Sequence, residues 1–179
     1  MIKSYLAVIV LFVSIFSAKA QSVDEVFYSL PSDGMAQLTT RMYTDYSQVE
    51  TEGEFILAIH FDLEHGWYTY TSEETGKNLP TTIKLTLPKG FSIVNTEWPK
   101  PMIAPSSKGG MEKVYKRDFT ILYTIKAGKK ASPEEIKAQL SWQVCDPSIC
   151  MIGEANLSAN IEVGKKVKSK LYGLIHKNE

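Results

Sequence analysis

Apolar and polar positions alternate with a period of two through the middle of the chain. In Glu54 to Leu63, "EFILAIHFDL", Phe55, Leu57, Ile59 and Phe61 alternate with Glu54, His60 and Asp62, while Ile56 and Ala58 soften the polar side. "TIKLTL" (Thr82 to Leu87) places Ile83, Leu85 and Leu87 on one face, and "FTILYTI" (Phe119 to Ile125) groups Phe119, Ile121, Tyr123 and Ile125. "QLSWQV" does the same with Leu140, Trp142 and Val144, and "ANLSANIEV" with Leu157, Ala159, Ile161 and Val163. Such runs, rich in β-branched and aromatic residues, predict half-buried antiparallel strands. Turn chemistry separates them in "EHGW", "ETGKNLP", "PKG", "WPKP", "SSKGG" and "KAGKKASPEE". Pro133 to Ala138 leaves room for a single helical turn, and no long helical period appears. The pattern predicts an all-β fold, an antiparallel β-sandwich first and a barrel second.

The N-terminus breaks this pattern. Lys3 precedes an apolar run from Tyr5 to Phe16, and Ala18-Lys19-Ala20 then forms a small-x-small site before Gln21. That is the plan of a secretory signal, with an apolar stretch short of the roughly 20 residues that span a bilayer. Residues 1–20 are therefore expected to be a signal peptide, 21–163 a single sandwich domain, and 164–179 a basic tail, solvated rather than a partner-docking segment. No second apolar run is long enough to cross a membrane. Without Lys3 and Lys19 the chain carries 18 basic and 20 acidic residues. A formal charge of −2 leaves no basic stripe for nucleic acid.

An extracytoplasmic address gives meaning to the two cysteines, because disulfides persist in oxidising compartments. Both lie in "WQVCDPSICM", with four residues between them around an Asp-Pro turn. Asp146-Pro147-Ser148-Ile149 suits a four-residue hairpin loop, with Pro147 fixing φ and Asp146 bonding back to the chain. Cys145 shares its parity with Ser141 and Gln143, and Cys150 has the parity of the polar side of its strand unless a bulge at Gly153 shifts the register. Both sulfurs are thus expected near the outer surface at a hairpin tip. A bridge closing so short a loop stabilises by only about 2 kcal/mol in the chain-entropy model, which disfavours a staple without removing that alternative. No cation stands within the loop and Asp146 disfavours a thiolate beside it, so the pair by itself makes a weak nucleophile.

Met151 next to two thiols also leaves a soft-metal site open, since thiolate and thioether suit Cu(I). His60, His65 and His176 do not combine with the cysteines at zinc spacing, and no cofactor or metal is assigned. There is no phosphate-binding glycine loop and no nucleophile elbow, and the carboxylates are scattered along solvent faces.

Taken in order, "HGWYTYTSEETGKNLPTTIKLTLPKGF", "WPKP", "VYKRDFTILYTI" and "WQVCDPSIC" resemble the periplasmic N-terminal domain of DsbD, the thiol:disulfide interchange reductase, over roughly Gly53 to Val163. The resemblance implies an immunoglobulin-like β-sandwich whose cysteine pair takes electrons from a membrane-embedded partner. It passes them to periplasmic thioredoxin-like proteins, such as disulfide isomerases and cytochrome c maturation factors. By position it makes Cys150 the attacking cysteine and Cys145 its resolving partner, with Trp67, Tyr68 and Tyr70 packed beside them. Asp146, Pro147 and Met151 join those aromatics as expected partner contacts. "MIGE" stands where family members often place prolines, and "KPMIAPSSKGGMEK" lacks the aromatic of a cap loop, so a cap would use Met102, Ile103 or Met111. The electron donor is expected to be a separate membrane protein. The alternative is a non-catalytic secreted sandwich in which the cystine clips a hairpin.

Overall fold

The computed structural model describes residues 37–73, 78–105 and 110–176; the signal-like stretch 1–20 and residues 21–36 lie outside the described residues. The strands are β1 (Leu38–Thr44), β2 (Tyr46–Val49), β3 (Glu54–Leu63), β4 (Tyr68–Tyr70), β5 (Thr82–Thr86), β6 (Phe91–Glu97), β7 (Met102–Pro105), β8 (Met111–Tyr115), β9 (Phe119–Ala127), β10 (Glu134–Cys145), β11 (Cys150–Val163) and β12 (Val167–Lys168). One short helix, α1 (Tyr172–Ile175), follows. The first sheet runs β1-β3-β9-β6; the second runs β12-β2-β11-β10-β4-β8-β7, with β5 also paired to β10. Each sheet has free edges among the described residues, so the fold is a sandwich and not a barrel. All pairings are antiparallel except a two-residue parallel contact between β2 and β11.

The period-two pattern supplies the core. Phe55, Leu57, Ile59 and Phe61 of β3 and Phe119, Ile121, Tyr123 and Ile125 of β9 point from one sheet; Ile136, Leu140, Trp142 and Val144 of β10 and Leu157 and Ile161 of β11 meet them from the other. Phe61 joins the layers, stacking on Phe119 at 4.6 Å between ring centroids and meeting Trp142 edge-on at 6.2 Å. Such ring pairs add to simple area burial.

β10 and β11 form the longest ladder, from Glu134 opposite Ile161 to Cys145 opposite Cys150, with no break in register. Pro133 does not open a helical turn. Glu134 to Ala138 extend β10 instead, because Ile136 and Ala138 fill core positions that a helical turn would rotate away. Gly153 does not bulge either. It sits opposite Trp142, and a β-carbon there would lie 2.5 Å from the indole, so the glycine makes room for the ring to lie across the neighbouring strand.

The tail stays largely exposed to solvent and is pinned along the edge of the domain. β12 pairs with β2, the Ser169 amide donates to the Asp45 carbonyl (2.9 Å), and His176 Nε2 lies 3.2 Å from Asp45 Oδ2. Asp45 is buried, and its other carboxylate oxygen accepts the Ile56 amide at 2.8 Å. A buried carboxylate needs such partners, and this need draws the segment down. The basic residues that suggested solvation lie over rings: Lys166 over Tyr46 at 4.1 Å and Lys168 over Tyr172 at 3.8 Å.

Gly153→Ala is expected to destabilise the domain by about 1–3 kcal/mol through overpacking against Trp142. Gly173→Ala, where a new β-carbon meets nothing within 4 Å, should stay within about 0.5 kcal/mol of wild type. Urea denaturation followed by tryptophan fluorescence measures both.

Candidate functional site

The β10–β11 ladder ends on the two cysteines, which are joined: Cys145 and Cys150 form a disulfide with 4.1 Å between Cα atoms. The loop between them closes without help from the sulfurs. The Asp146 amide donates to the Ile149 carbonyl at 3.0 Å. Asp146 Oδ1 in turn accepts the Ser148 amide (2.7 Å), the Ile149 amide (2.8 Å) and the Ser148 hydroxyl (3.0 Å). These donors hold the Asp146 carboxyl below the usual carboxylate range, the Ile149 and Ser148 amides foremost. Pro147 stands exposed at the tip of this turn.

The two sulfurs occupy different surroundings. Cys150 is exposed, as its parity predicts, whereas Cys145 is fully buried. The expectation of two outward sulfurs is therefore corrected for Cys145. Its side chain does leave the main core, but the outer face of the sheet is itself covered at this point. Cys145 lies directly across from Tyr68 and packs with Tyr70, Val114 and Ala104 in a small second core. A turn at Glu64–Trp67 launches the covering strand β4; the Trp67 amide donates to the Glu64 carbonyl at 3.1 Å, and Gly66 supplies a φ of 91° that favours glycine. Tyr68 and Tyr70 meet edge-on at 5.8 Å, and the Tyr70 hydroxyl lies 3.8 Å from Cys145 Sγ.

The predicted aromatic trio therefore divides. Tyr68 and Tyr70 adjoin the disulfide, while Trp67 turns to the main core. Met151, opposite Val144, is half-buried and also packs on the main core, on the face away from the sulfurs. Met102, Ile103 and Met111 are exposed on the β7–β8 hairpin. Of these, Met102 pairs with Val114 and so shares the face of the second core.

Five contributors escaped sequence reasoning. Ile152, 68% exposed, lies on the face of Cys150, and Ile149 and Leu79 are also exposed beside the tip. Ile152 did carry a signal, an aliphatic side chain at a solvent-parity position. Lys116, absent from the loop in sequence, lies 5.8 Å from the centre of the Tyr68 ring. Gln143 spans the space between Cys145 and a crossing segment: its Nε2 donates toward Cys145 Sγ at 3.5 Å and its Oε1 accepts the Leu79 amide at 2.7 Å.

That crossing segment arises from an interruption in one strand line. β4 and β5 run in the same direction along the same side of β10, β4 opposite Val144 and Cys145, β5 opposite Lys137 to Ser141. The chain leaves this line after Tyr70 and is back in it at Thr81, whose amide (3.3 Å) and hydroxyl (2.6 Å) both donate to the Tyr70 carbonyl. The Thr69 hydroxyl donates to the Gln143 carbonyl at 2.8 Å, pinning β4 to β10 beside the disulfide.

A family model described as "Thiol:disulfide interchange protein DsbD, N-terminal" matches residues 38–161. The chain belongs to that family. Among solved structures, the N-terminal periplasmic domain of ScsB from Proteus mirabilis matches with a TM-score of 0.58 at 14% identity, covering 85% of this chain and 56% of that one. The chain thus spans little more than half the length of that relative, and the likeness shows the fold. The DsbD N-terminal domain of Neisseria meningitidis in its reduced form aligns with a TM-score of 0.42 at 14% identity over 72% of this chain and 90% of that one. The same domain in complex with the PilB N-terminal domain aligns at 0.46 and 14% identity over 79% and 93%. No curated protein matches the chain. The fold class is that of the DsbD N-terminal family, an immunoglobulin-like antiparallel sandwich, here with a bonded cysteine pair at one hairpin tip. Among the described residues no helix is long and apolar enough to cross a membrane.

The lowered Asp146 titration sets a pH dependence. A carboxyl whose folded-state value is depressed stabilises the turn fully above about pH 4, and that contribution is lost as the pH falls through the depressed value. The Ser148 and Ile149 amide proton shifts should therefore stay constant from about pH 7 to pH 4 and then move together. In Asp146→Ala they should show no such step.

Proposed function

We propose that this chain is a periplasmic thiol–disulfide exchange module. It relays electrons through Cys145 and Cys150 from a membrane-embedded thiol reductase to thioredoxin-like recipients. The observation that carries the reading is the division of one disulfide between two media: Cys150 open to solvent and Cys145 wholly enclosed. An incoming thiolate has one sulfur to attack, and the exposed aliphatics Ile149, Ile152 and Leu79 offer a partner an apolar rim around it.

Each half of the cycle balances. A donor thiolate attacks Cys150 Sγ and the Cys145–Cys150 bond breaks, its electron pair leaving on Cys145, which then takes a proton. The donor's second thiolate attacks the donor sulfur of the mixed disulfide, closing the donor's own disulfide and releasing Cys150 as a thiolate. Toward a recipient, Cys150 attacks the recipient disulfide. Cys145 then attacks Cys150 Sγ, reforming the native bond and freeing the recipient as a dithiol. In these roles Cys150 is the attacking cysteine and Cys145 the resolving one, with Tyr68, Tyr70, Asp146 and Pro147 bordering the contact.

Periplasmic location rests on the signal-like N-terminus, the family and the need of a disulfide for an oxidising space. The clip alternative is weakened by the turn itself. Hydrogen bonds to Asp146 and the ladder behind it already close the hairpin, so a structural bond there adds little.

Replacing both cysteines by alanine should leave a folded domain, destabilised by about 2 kcal/mol. In Cys145→Ala a mixed disulfide through Cys150 should accumulate with a thioredoxin-like partner, and Cys150→Ala should trap none. The reduction potential of the pair should lie above about −300 mV. A potential well below that value, with no trapped species in Cys145→Ala, would overturn the proposal in favour of the clip.

A further inference from the structure

We infer that Gln143 is the hydrogen-bond donor that stabilises the thiolate on Cys145 each time the disulfide opens, and that the backbone amide of Leu79 holds it in that role. The inference rests on the exchange reading above and assigns the group that makes a buried leaving sulfur workable.

Burial creates the difficulty. Cys145 has no exposed surface and is lined by Tyr70, Val114 and Ala104. When a thiolate attacks Cys150, the displaced electron pair arrives on a sulfur cut off from water, where a charge is costly. Departure of that sulfur is part of the rate, because exchange depends on the leaving group as well as the nucleophile. A group that donates a hydrogen bond to the developing anion lowers the barrier, provided it is already aimed there.

Gln143 meets this need by position and by orientation. It precedes Cys145 by two residues on the same face of β10, and its Nε2 is 3.5 Å from Cys145 Sγ. The two ends of a glutamine amide are easily interchanged, but here the other end decides. Leu79 offers an N–H at 2.7 Å, which only the carbonyl oxygen can accept, so the NH2 end is turned to the sulfur. Leu79 is fixed on both sides in turn. Asn78 Nδ2 donates to Glu112 Oε1 at 2.7 Å, and Thr81 is tied to the Tyr70 carbonyl through its amide and its hydroxyl. Residues 78–81 thus present one N–H to one side chain. The Tyr70 hydroxyl, 3.8 Å from the same sulfur, is a longer second contact.

The electron flow is unchanged by Gln143. The incoming thiolate bonds to Cys150 Sγ, the Cys145–Cys150 bond breaks, and the pair rests on Cys145 Sγ, hydrogen-bonded to the amide until solvent supplies a proton. In the opposite direction the same bond favours the Cys145 thiolate that attacks the mixed disulfide.

The test compares wild type with Gln143→Met, which keeps the length of the side chain without a donor, and Gln143→Glu, which keeps an acceptor for Leu79 but presents an anionic oxygen to the sulfur. Reduction of the disulfide by dithiothreitol should slow by about tenfold or more in each, the effect of losing one hydrogen bond to a charged group. In a Cys150→Ser background, the ultraviolet thiolate absorbance of Cys145 against pH should shift to higher pH in both variants. A merely structural glutamine would lower the melting temperature and leave that pH profile in place. If Gln143→Met does not fold, Gln143→Glu carries the comparison. Variants that are reduced as fast as wild type, with an unshifted profile, overturn the role of Gln143. A wild-type disulfide that resists dithiothreitol overturns the exchange reading instead.

Discussion

The register of β10 against β11 is the constraint on which the site depends. Twelve opposed pairs run without a shift from Glu134–Ile161 to Cys145–Cys150. A slip of one residue would carry every core side chain of one strand to the opposite face, and with it one of the sulfurs. Burial of Ile136, Leu140, Trp142, Leu157 and Ile161 prevents the slip. Trp142 over Gly153 locks it close to the tip, because only one position of β11 has room for the ring. The hairpin thus places its sulfurs through packing that begins two strands away, in the Phe61–Trp142 contact between the sheets.

The local asymmetry has a different source. Antiparallel pairing alone would put Cys145 and Cys150 side by side on an equally open face. The interrupted β4/β5 line changes that, because its first half brings Tyr68 and Tyr70 over Cys145 and its excursion brings Leu79 to Gln143. The outer face therefore acquires a miniature core over one sulfur and not the other. A domain large enough to bury a full interior does not need this second cluster for stability. Its effect is to give two bonded atoms unlike access to water.

Much of this was legible in the sequence. Alternation located β3 and β5, β9 and the cores of β10 and β11, and parity put both cysteines on the face opposite Trp142 and Val144. The four-residue turn followed from Asp146 and Pro147. The cover over Cys145 did not follow. β4 is three residues long, too short for a periodic signal, and its pairing with β10 and with β8 spans dozens of intervening residues. The attachment of the tail was not legible for a related reason. Its lysines were weighed as charge, while their contacts with Tyr46 and Tyr172 and the burial of Asp45 beneath His176 become visible only when distant segments meet.

That docked tail bears on how the domain could be mounted. β11 runs fourteen residues from Cys150 to Val163, up to about 44 Å at the usual rise per strand residue. β2 runs parallel to β11 with Gln48 opposite Glu162, so Asp45, just before β2, is level with the later part of that span, and the tail fastened to it lies on the half of the sheet away from the cystine. Anything coupled to the domain through its C-terminal side would hold it by the end away from the exposed sulfur.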